Sequence, residues 1–273
     1  MTVSSITVGV LAIQGAFYEH FKLLEKAAEE LRGQAWIFIE VRTPQELDRC
    51  DALIIPGGES TTVALVAARS NLLDPLRDFV KVRRKPTWGT CAGLILLAES
   101  ANRTKKGGQD LIGGLDVRVN RNYFGRQTES FEAGLALRFL GVGKGNKPFN
   151  GVFIRAPVVE KLLPVVEGEQ KGEGAVEETV IAPSRVPGDE NAMRQILQPV
   201  EVLATLPGRS QTLKEKLAAM NLSDEVGDIV AVRQGNVFGT SFHPELTTDA
   251  RIHVWWLQQV INSVGGHQIN GTS

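Results

Sequence analysis

Two rhythms of apolar positions trade places along this chain. The run ITVGVLAI (6–13) is continuously apolar, as a strand buried on both faces requires. It is followed by AFYEHFKLLEKAAEEL (16–31), which sets Phe17, Phe21, Leu24, Ala28 and Leu31 at helical spacing. AWIFIEV (35–41) predicts a second strand and DALIIP (51–56) a third, broken by Pro56-Gly57-Gly58. STTVALVAARS (60–70) then predicts a helix capped by Ser60. Strands alternating with amphipathic helices predict an α/β fold, an open, mainly parallel sheet with helices on both faces.

The rhythm changes beyond residue 113. LDVRVNRN (115–122) and FEAGLALRFL (131–140) alternate residue by residue, which predicts strands at the sheet edge or in a small antiparallel annex. GVGKGNKPFN (141–150) is a polar loop and GVFIRAP (151–157) another short strand. From 160 to 199 Glu, Gly, Pro and Gln dominate, so this stretch is expected to be a solvated, mobile insertion. EVLATL (201–206) resumes the strand pattern, and a second insertion (207–226) holds a short helix. DIVAVRQGNVFGTSFHPE (228–245) predicts a hairpin turning at Gln234-Gly235-Asn236. TTDARIHVWWLQQVINSV (247–264) closes the pattern as a helix before a polar tail, 265–273. No internal repeat is visible, so the expectation is one domain over 1–273 interrupted by the two insertions.

Composition narrows the function classes. With 273 residues, 42% hydrophobic, the chain can bury a sizeable core. Thirty basic and 31 acidic residues leave a net charge of -1, which supplies no attraction to nucleic acid or an anionic membrane. The apolar run at 6–13 is preceded by no Lys or Arg and is too short to span a bilayer. Two cysteines, Cys50 and Cys91, make neither a disulfide framework nor a metal cluster, so a reducing, cytoplasmic setting is expected.

The candidate chemistry begins at WGTCAGLILLA (88–98), where Cys91 has glycines two positions away on either side. That is the spacing of a nucleophile elbow, a sharp strand-to-helix turn that lifts a reactive side chain out of the sheet. An ordinary thiol, with a pKa of about 8.5, needs such a setting to react as thiolate. The alternative is a small buried hydrophobe in a glycine-rich turn. In SFHPEL (241–246) an extended backbone points His243 and Glu245 to the same side, as a general base and its orienting carboxylate require. His20 and His253 fall inside predicted helices and His267 in the tail, so no metal site is expected. IIPGGES (54–60) lacks the lysine of a phosphate-binding loop. Its Gly58 N–H, with that of Ala92, could instead hold an oxyanion, or the turn could serve only to start a helix. Arg121 and Arg155 lie among aromatic and apolar neighbours, suited to binding a carboxylate or to structural ion pairing.

Taken in order, GVLAIQGAFYEH, LIIPGGESTT, GTCAGLILLA, VNRNYFGRQTESFEA, GVFIRAP and SFHPELT resemble the class I, triad-type glutamine amidotransferases. The RNYFGRQ and FIRAP blocks narrow the resemblance to the glutaminase subunits of pyridoxal 5'-phosphate synthase. It covers most of 6–157, 201–206 and 228–262 and leaves out both insertions. It implies a flavodoxin-like fold, Cys91 as nucleophile, His243 as base and Glu245 as its orienting residue. It further implies that Gly58, Glu59, Ser60, Arg121, Ile154 and Arg155 line a pocket for L-glutamine, and that Gln14 faces a synthase subunit. That partner would be a (β/α)₈ barrel receiving ammonia, and the glutaminase itself would need no cofactor or metal. Two alternatives stay open: the glutaminase of a different synthase, and a subunit that binds a synthase without hydrolysing glutamine.

Overall fold

The structure, a computed structural model, describes residues 5–102, 109–121, 130–141, 147–164, 179–206 and 228–270. The N-terminal half alternates as its pattern predicts: β1 (Ile6–Leu11), α1 (Phe17–Glu30), β2 (Trp36–Val41), α2 (Pro44–Asp48), β3 (Ala52–Ile55), α3 (Ser60–Arg69) and α4 (Leu73–Arg77). Next come β4 (Thr87–Thr90), α5 (Ala92–Leu97), β5 (Ala98–Asn102), β6 (Leu115–Asn120), β7 (Ser130–Leu135) and β8 (Phe149–Ile154). The chain continues through β9 (Val158–Leu162), β10 (Thr179–Ile181), α6 (Glu190–Ile196), β11 (Glu201–Leu206), β12 (Asp228–Gln234), β13 (Val237–Thr240) and α7 (Arg251–Asn270).

The main sheet runs β10-β5-β6-β9-β12-β13-β4-β3-β1-β2, with β11 on β12. Its block β13-β4-β3-β1-β2 is parallel throughout. Alternate residues of one strand feed opposite cores, as the two-residue period of a strand requires. Leu53 and Ile55 join α3, α4 and α5 on one face, whereas Ala52 and Ile54 join α1 and α7 on the other. The annex expected in the alternating region is β7 paired antiparallel with β8, while β6 joins the main sheet. The hairpin forms where its pattern predicts, with Gln234 opposite Val237 and Gly235 at φ +56°.

Three expectations are corrected. The stretch 160–199 is not solvated throughout: β10 pairs with β5, and Lys81 donates to the carbonyl of Pro183 at 2.9 Å. Local composition misses this because the anchor is supplied by the body of the domain. The cap of α3 is Glu59, not Ser60; its carboxylate accepts from the N–H groups of Thr61 and Thr62. The final helix continues to Asn270, into the stretch expected to be a tail. The second insertion, 207–226, and the RNYFGRQ block beyond Arg121 lie outside the described residues. Among the described residues no helix is long and apolar enough to cross a membrane.

Candidate active site

Gln14, Gly58, Cys91 and His243 follow β1, β3, β4 and β13, which are neighbours and parallel. They therefore meet beyond one edge of the sheet, where open α/β folds bind ligands. The turn at Cys91 is sharp: the residue sits at φ +47°, ψ -100°, and its N–H donates to the carbonyl of Thr240 at 2.8 Å. Both flanking glycines are required by close approach. A β-carbon on Gly93 would lie 2.0 Å from the carbonyl oxygen of Ile55, and one on Gly89 2.4 Å from the carbonyl carbon of Gly93. Cys50 has none of this setting. It is wholly buried beneath β1, and burial pushes its thiol up to about 12.

His243 leaves β13 and is fixed from two sides. Its backbone N–H donates to the carbonyl of Val152 at 2.8 Å, so the annex strand β8 sets its height. Its Nδ1 lies 2.7 Å from Oε1 of Glu245, which is fully buried in a short 3₁₀ turn, Pro244–Leu246. Cys91 stands beside the ring: a β-carbon on Gly57 would touch both the imidazole and the β-carbon of Cys91. Burial alone would lower the imidazole's affinity for a proton. The neighbouring sulfur of Cys91 and the bond to Glu245 outweigh it and push the group up to about 10, so an imidazolium faces the sulfur at neutral pH. The thiol also lies 3.9 Å from the carbonyl oxygen of Ile154 at the end of β8.

Above the sulfur is a cavity of about 340 Å³. Its walls include Gly58, Glu59, Ser60, Arg121, Ile154 and Arg155, the six that the sequence assigns to a pocket, together with Gln14, which it assigns to a partner-facing surface, and Thr61 and Ile95, which it does not single out. Arg121 is buried and donates to Oε1 of Gln109, which also accepts from the hydroxyl of Ser60 at 3.0 Å. Arg155 is exposed and holds φ +44°. Gln14 accepts from the N–H of Glu59 at 3.0 Å. Among the described residues, neither the Gly58 N–H nor the Ala92 N–H donates to a protein acceptor.

Sequence reasoning missed the layer behind Glu245. His20 and His253 lie in α1 and α7, as their sequence pattern predicts, yet Nδ1 of His20 lies 3.0 Å from Nε2 of His253 and both rings are fully buried. Nε2 of His20 is 3.5 Å from Oε2 of Glu245. The signal was the spacing: His20, Leu23, Leu24 and Ala27 form the buried stripe of α1. Among the described residues no group of His, Cys, Asp and Glu could hold a metal ion.

A profile of the SNO glutamine amidotransferase family matches residues 10–185 and 187–262. A relative from Arabidopsis thaliana, named probable pyridoxal 5'-phosphate synthase subunit PDX2, is 41% identical over 93% of this chain and 85% of its own length. One from Herpetosiphon aurantiacus, named pyridoxal 5'-phosphate synthase subunit PdxT, is 37% identical over 92% of this chain and 99% of its own. A crystal structure described as a glutamine amidotransferase is 36% identical, covers 93% of this chain and 98% of its own, and superposes with a TM-score of 0.58.

Proposed function

The chain belongs to the SNO glutamine amidotransferase family, and from that membership we propose that it is the glutaminase subunit of a pyridoxal 5'-phosphate synthase, acting as a single amidotransferase domain. The observation that carries the reading is Cys91 at a strained elbow, lining one cavity with His243, which Glu245 holds at 2.7 Å. The Cys91 thiolate attacks the side-chain carbonyl carbon of L-glutamine, forming a C–S bond and a tetrahedral oxyanion. The free N–H groups of Gly58 and Ala92 are suited to that oxyanion. The imidazolium of His243 gives its proton to the departing nitrogen, the C–N bond breaks, and ammonia leaves. Neutral His243 then takes a proton from water, whose oxygen attacks the thioester; the C–S bond breaks and L-glutamate and the thiolate are released. Glu59, Arg121 and Arg155 supply the charges an amino acid's ammonium and carboxylate need. The ammonia passes to a synthase subunit with a (β/α)₈ barrel, and Gln14 lies on the face that meets it.

The test is glutamate release in the presence of the synthase subunit. Cys91→Ala should abolish it while leaving thermal unfolding and synthase binding unchanged. Cys50→Ala should keep it, losing on the order of 1 kcal/mol of stability to a small cavity. Activity surviving in Cys91→Ala would overturn the reading. Ammonium salts should replace glutamine in pyridoxal phosphate formation when the chain is omitted.

A further inference from the structure

Glu245 is a carboxylate with no exposed surface on its side chain, and only one of its two oxygens is engaged by His243. Oε2 is buried and has no hydrogen bond of good geometry. A carboxylate oxygen left bare in the interior is costly and free to turn, so what stands nearest to it matters. That neighbour is Nε2 of His20, at 3.5 Å, which is also 3.5 Å from Oγ1 of Thr90.

The protons on this pair follow from their partners. If His20 carried its proton on Nδ1 and gave it to His253, its Nε2 lone pair would take the Thr90 hydroxyl at 3.5 Å but would also face the carboxylate, and Nδ1–H of His253 would be a buried donor without a partner. The opposite arrangement puts His253 Nε2–H onto His20 Nδ1 and leaves His20 Nε2–H to meet Glu245. It leaves only the Nδ1 lone pair of His253 unmatched, the atom that has no hydrogen-bond partner. Trp88 holds both rings in place, edge-on to His20 at 5.5 Å and to His253 at 4.8 Å.

We propose that His20 is a positioning residue of the triad: its Nε2–H tautomer, set by His253, anchors the second oxygen of Glu245 so that the first stays on His243. The relay Cys91–His243–Glu245–His20–His253 thus runs from the elbow through the 3₁₀ turn to α1 and α7. This rests on the glutaminase reading above. The titratable groups facing His20 are Glu245, His253 and, more distantly, His243. Burial pushes His20 down to about 3 against the pull of Glu245, so the ring acts as a neutral donor.

Two polar replacements of His20 separate anchoring from packing. In His20→Gln the amide nitrogen reaches the place of Nε2, whereas in His20→Asn it reaches only that of Nδ1. With the synthase subunit present, His20→Asn should lower kcat about ten- to a hundredfold with KM within twofold, because the displaced carboxylate lets the imidazole drift. The alkaline limb of its kcat/KM profile should also move to lower pH, since a looser bond to Glu245 raises His243 less. His20→Gln should restore kcat to within about threefold of the parent and return the limb. Equal kcat in His20→Asn and parent, or equal loss in both variants, overturns the proposal. Nitrogen NMR of the unsubstituted protein decides independently of folding, because a proton on Nδ1 of His20 also overturns it. A parent chain that releases no glutamate would instead defeat the glutaminase reading.

Discussion

Gly57 and His243 touch so closely that a β-carbon on the glycine would lie 2.2 Å from Cε1 of the imidazole and 2.8 Å from its Nδ1. The same β-carbon would lie 3.3 Å from that of Cys91. Gly57 is thus the wall that keeps the imidazole between the sulfur and Glu245. Its backbone is not among those held at positive φ, so an alanine there is admissible to the chain itself. The burden of the extra methyl falls mainly on the imidazole and to a lesser degree on Cys91. Gly57→Ala should therefore fold normally and lose a hundredfold or more in kcat, the order expected when a reacting group is displaced by about 1 Å. Circular dichroism and glutamate release, measured together, check this; an active Gly57→Ala would show that the ring has room to spare.

Because the sulfur of Cys91 and the bond to Glu245 push His243 up to about 10 despite burial, the imidazolium persists through neutral pH. The alkaline limb of kcat/KM should fall well above the ordinary histidine value of 6.5. Glu245→Gln keeps the shape but removes the charge, so that limb should move to lower pH as activity drops. The stability the pair contributes has the same sign: it is full below 6.5 and is lost as the pH rises through about 10. The pair behind it works oppositely. His20 and His253 are held near 3 by burial, so their contribution is present above 6.5 and is lost as the pH falls from there towards 3. Urea titrations at stepped pH should show stability declining on both sides. A flat profile between pH 4 and 6.5, as order-of-magnitude bounds, would contradict the buried neutral pair.

The stretch beyond residue 179 is anchored through a buried ion pair. Lys81 Nζ lies 2.8 Å from Glu99 with both side chains inaccessible, and it donates to the carbonyl of Pro183 at 2.9 Å. Glu99 in turn accepts from the N–H of Gly114 at 2.7 Å. Burial already pushes the Glu99 carboxyl up to about 7, so in Lys81→Met it takes a proton, and loss of the charge-assisted bonds of Lys81 to Glu99 and Pro183 should cost about 1.5–3 kcal/mol. Adding Glu99→Gln, which still accepts from Gly114, should recover much of that. A double-mutant cycle by urea denaturation measures the coupling. Loss in the single variant should also loosen the pairing of β10 with β5, read as faster amide exchange at Val180.

What the sequence discloses follows the physics of each element. The buried parallel strands announce themselves because β1 and β3 need continuous apolar runs, and Cys91 because a nucleophile elbow needs small residues at fixed offsets. Gly89 and Gly93 are those residues, each against backbone. His243 and Glu245 are readable because two residues apart on an extended segment is a local relation. Thr179–Ile181 was hidden because a three-residue edge strand has too few positions to show a period, and its partner lies on β5. His20 and His253 were hidden because 233 positions separate them in the chain, and nothing local signals that α1 packs on α7. The cap of α3 was misassigned by one residue because Glu59, unusual at such a position, satisfies two N–H groups that Ser60 would otherwise compete for.

The loops after β1 and β3 are interlocked, and that coupling bears on control. A β-carbon on Gly15 would lie 1.7 Å from the carbonyl oxygen of Gly57, so the two backbones are in direct contact. The side chain of Gln14 accepts from the N–H of Glu59 at 3.0 Å, next to Gly58, whose own N–H is a candidate oxyanion donor. A partner that presses on Gln14 therefore presses on the donor. Losing one oxyanion donor costs on the order of 2.7–4 kcal/mol of transition-state stabilisation, so a small rotation of the Gly57–Gly58 peptide suffices to switch turnover a hundredfold or more. The isolated chain should hydrolyse glutamine poorly and be stimulated on titration with the synthase subunit. Gln14→Ala should blunt the stimulation while the rate of Cys91 alkylation, which depends on the sulfur and His243 alone, stays at the parent value. Equal turnover with and without the synthase at matched glutamine would show that the loop is already set, and would leave the assignments of Cys91, His243 and Glu245 untouched.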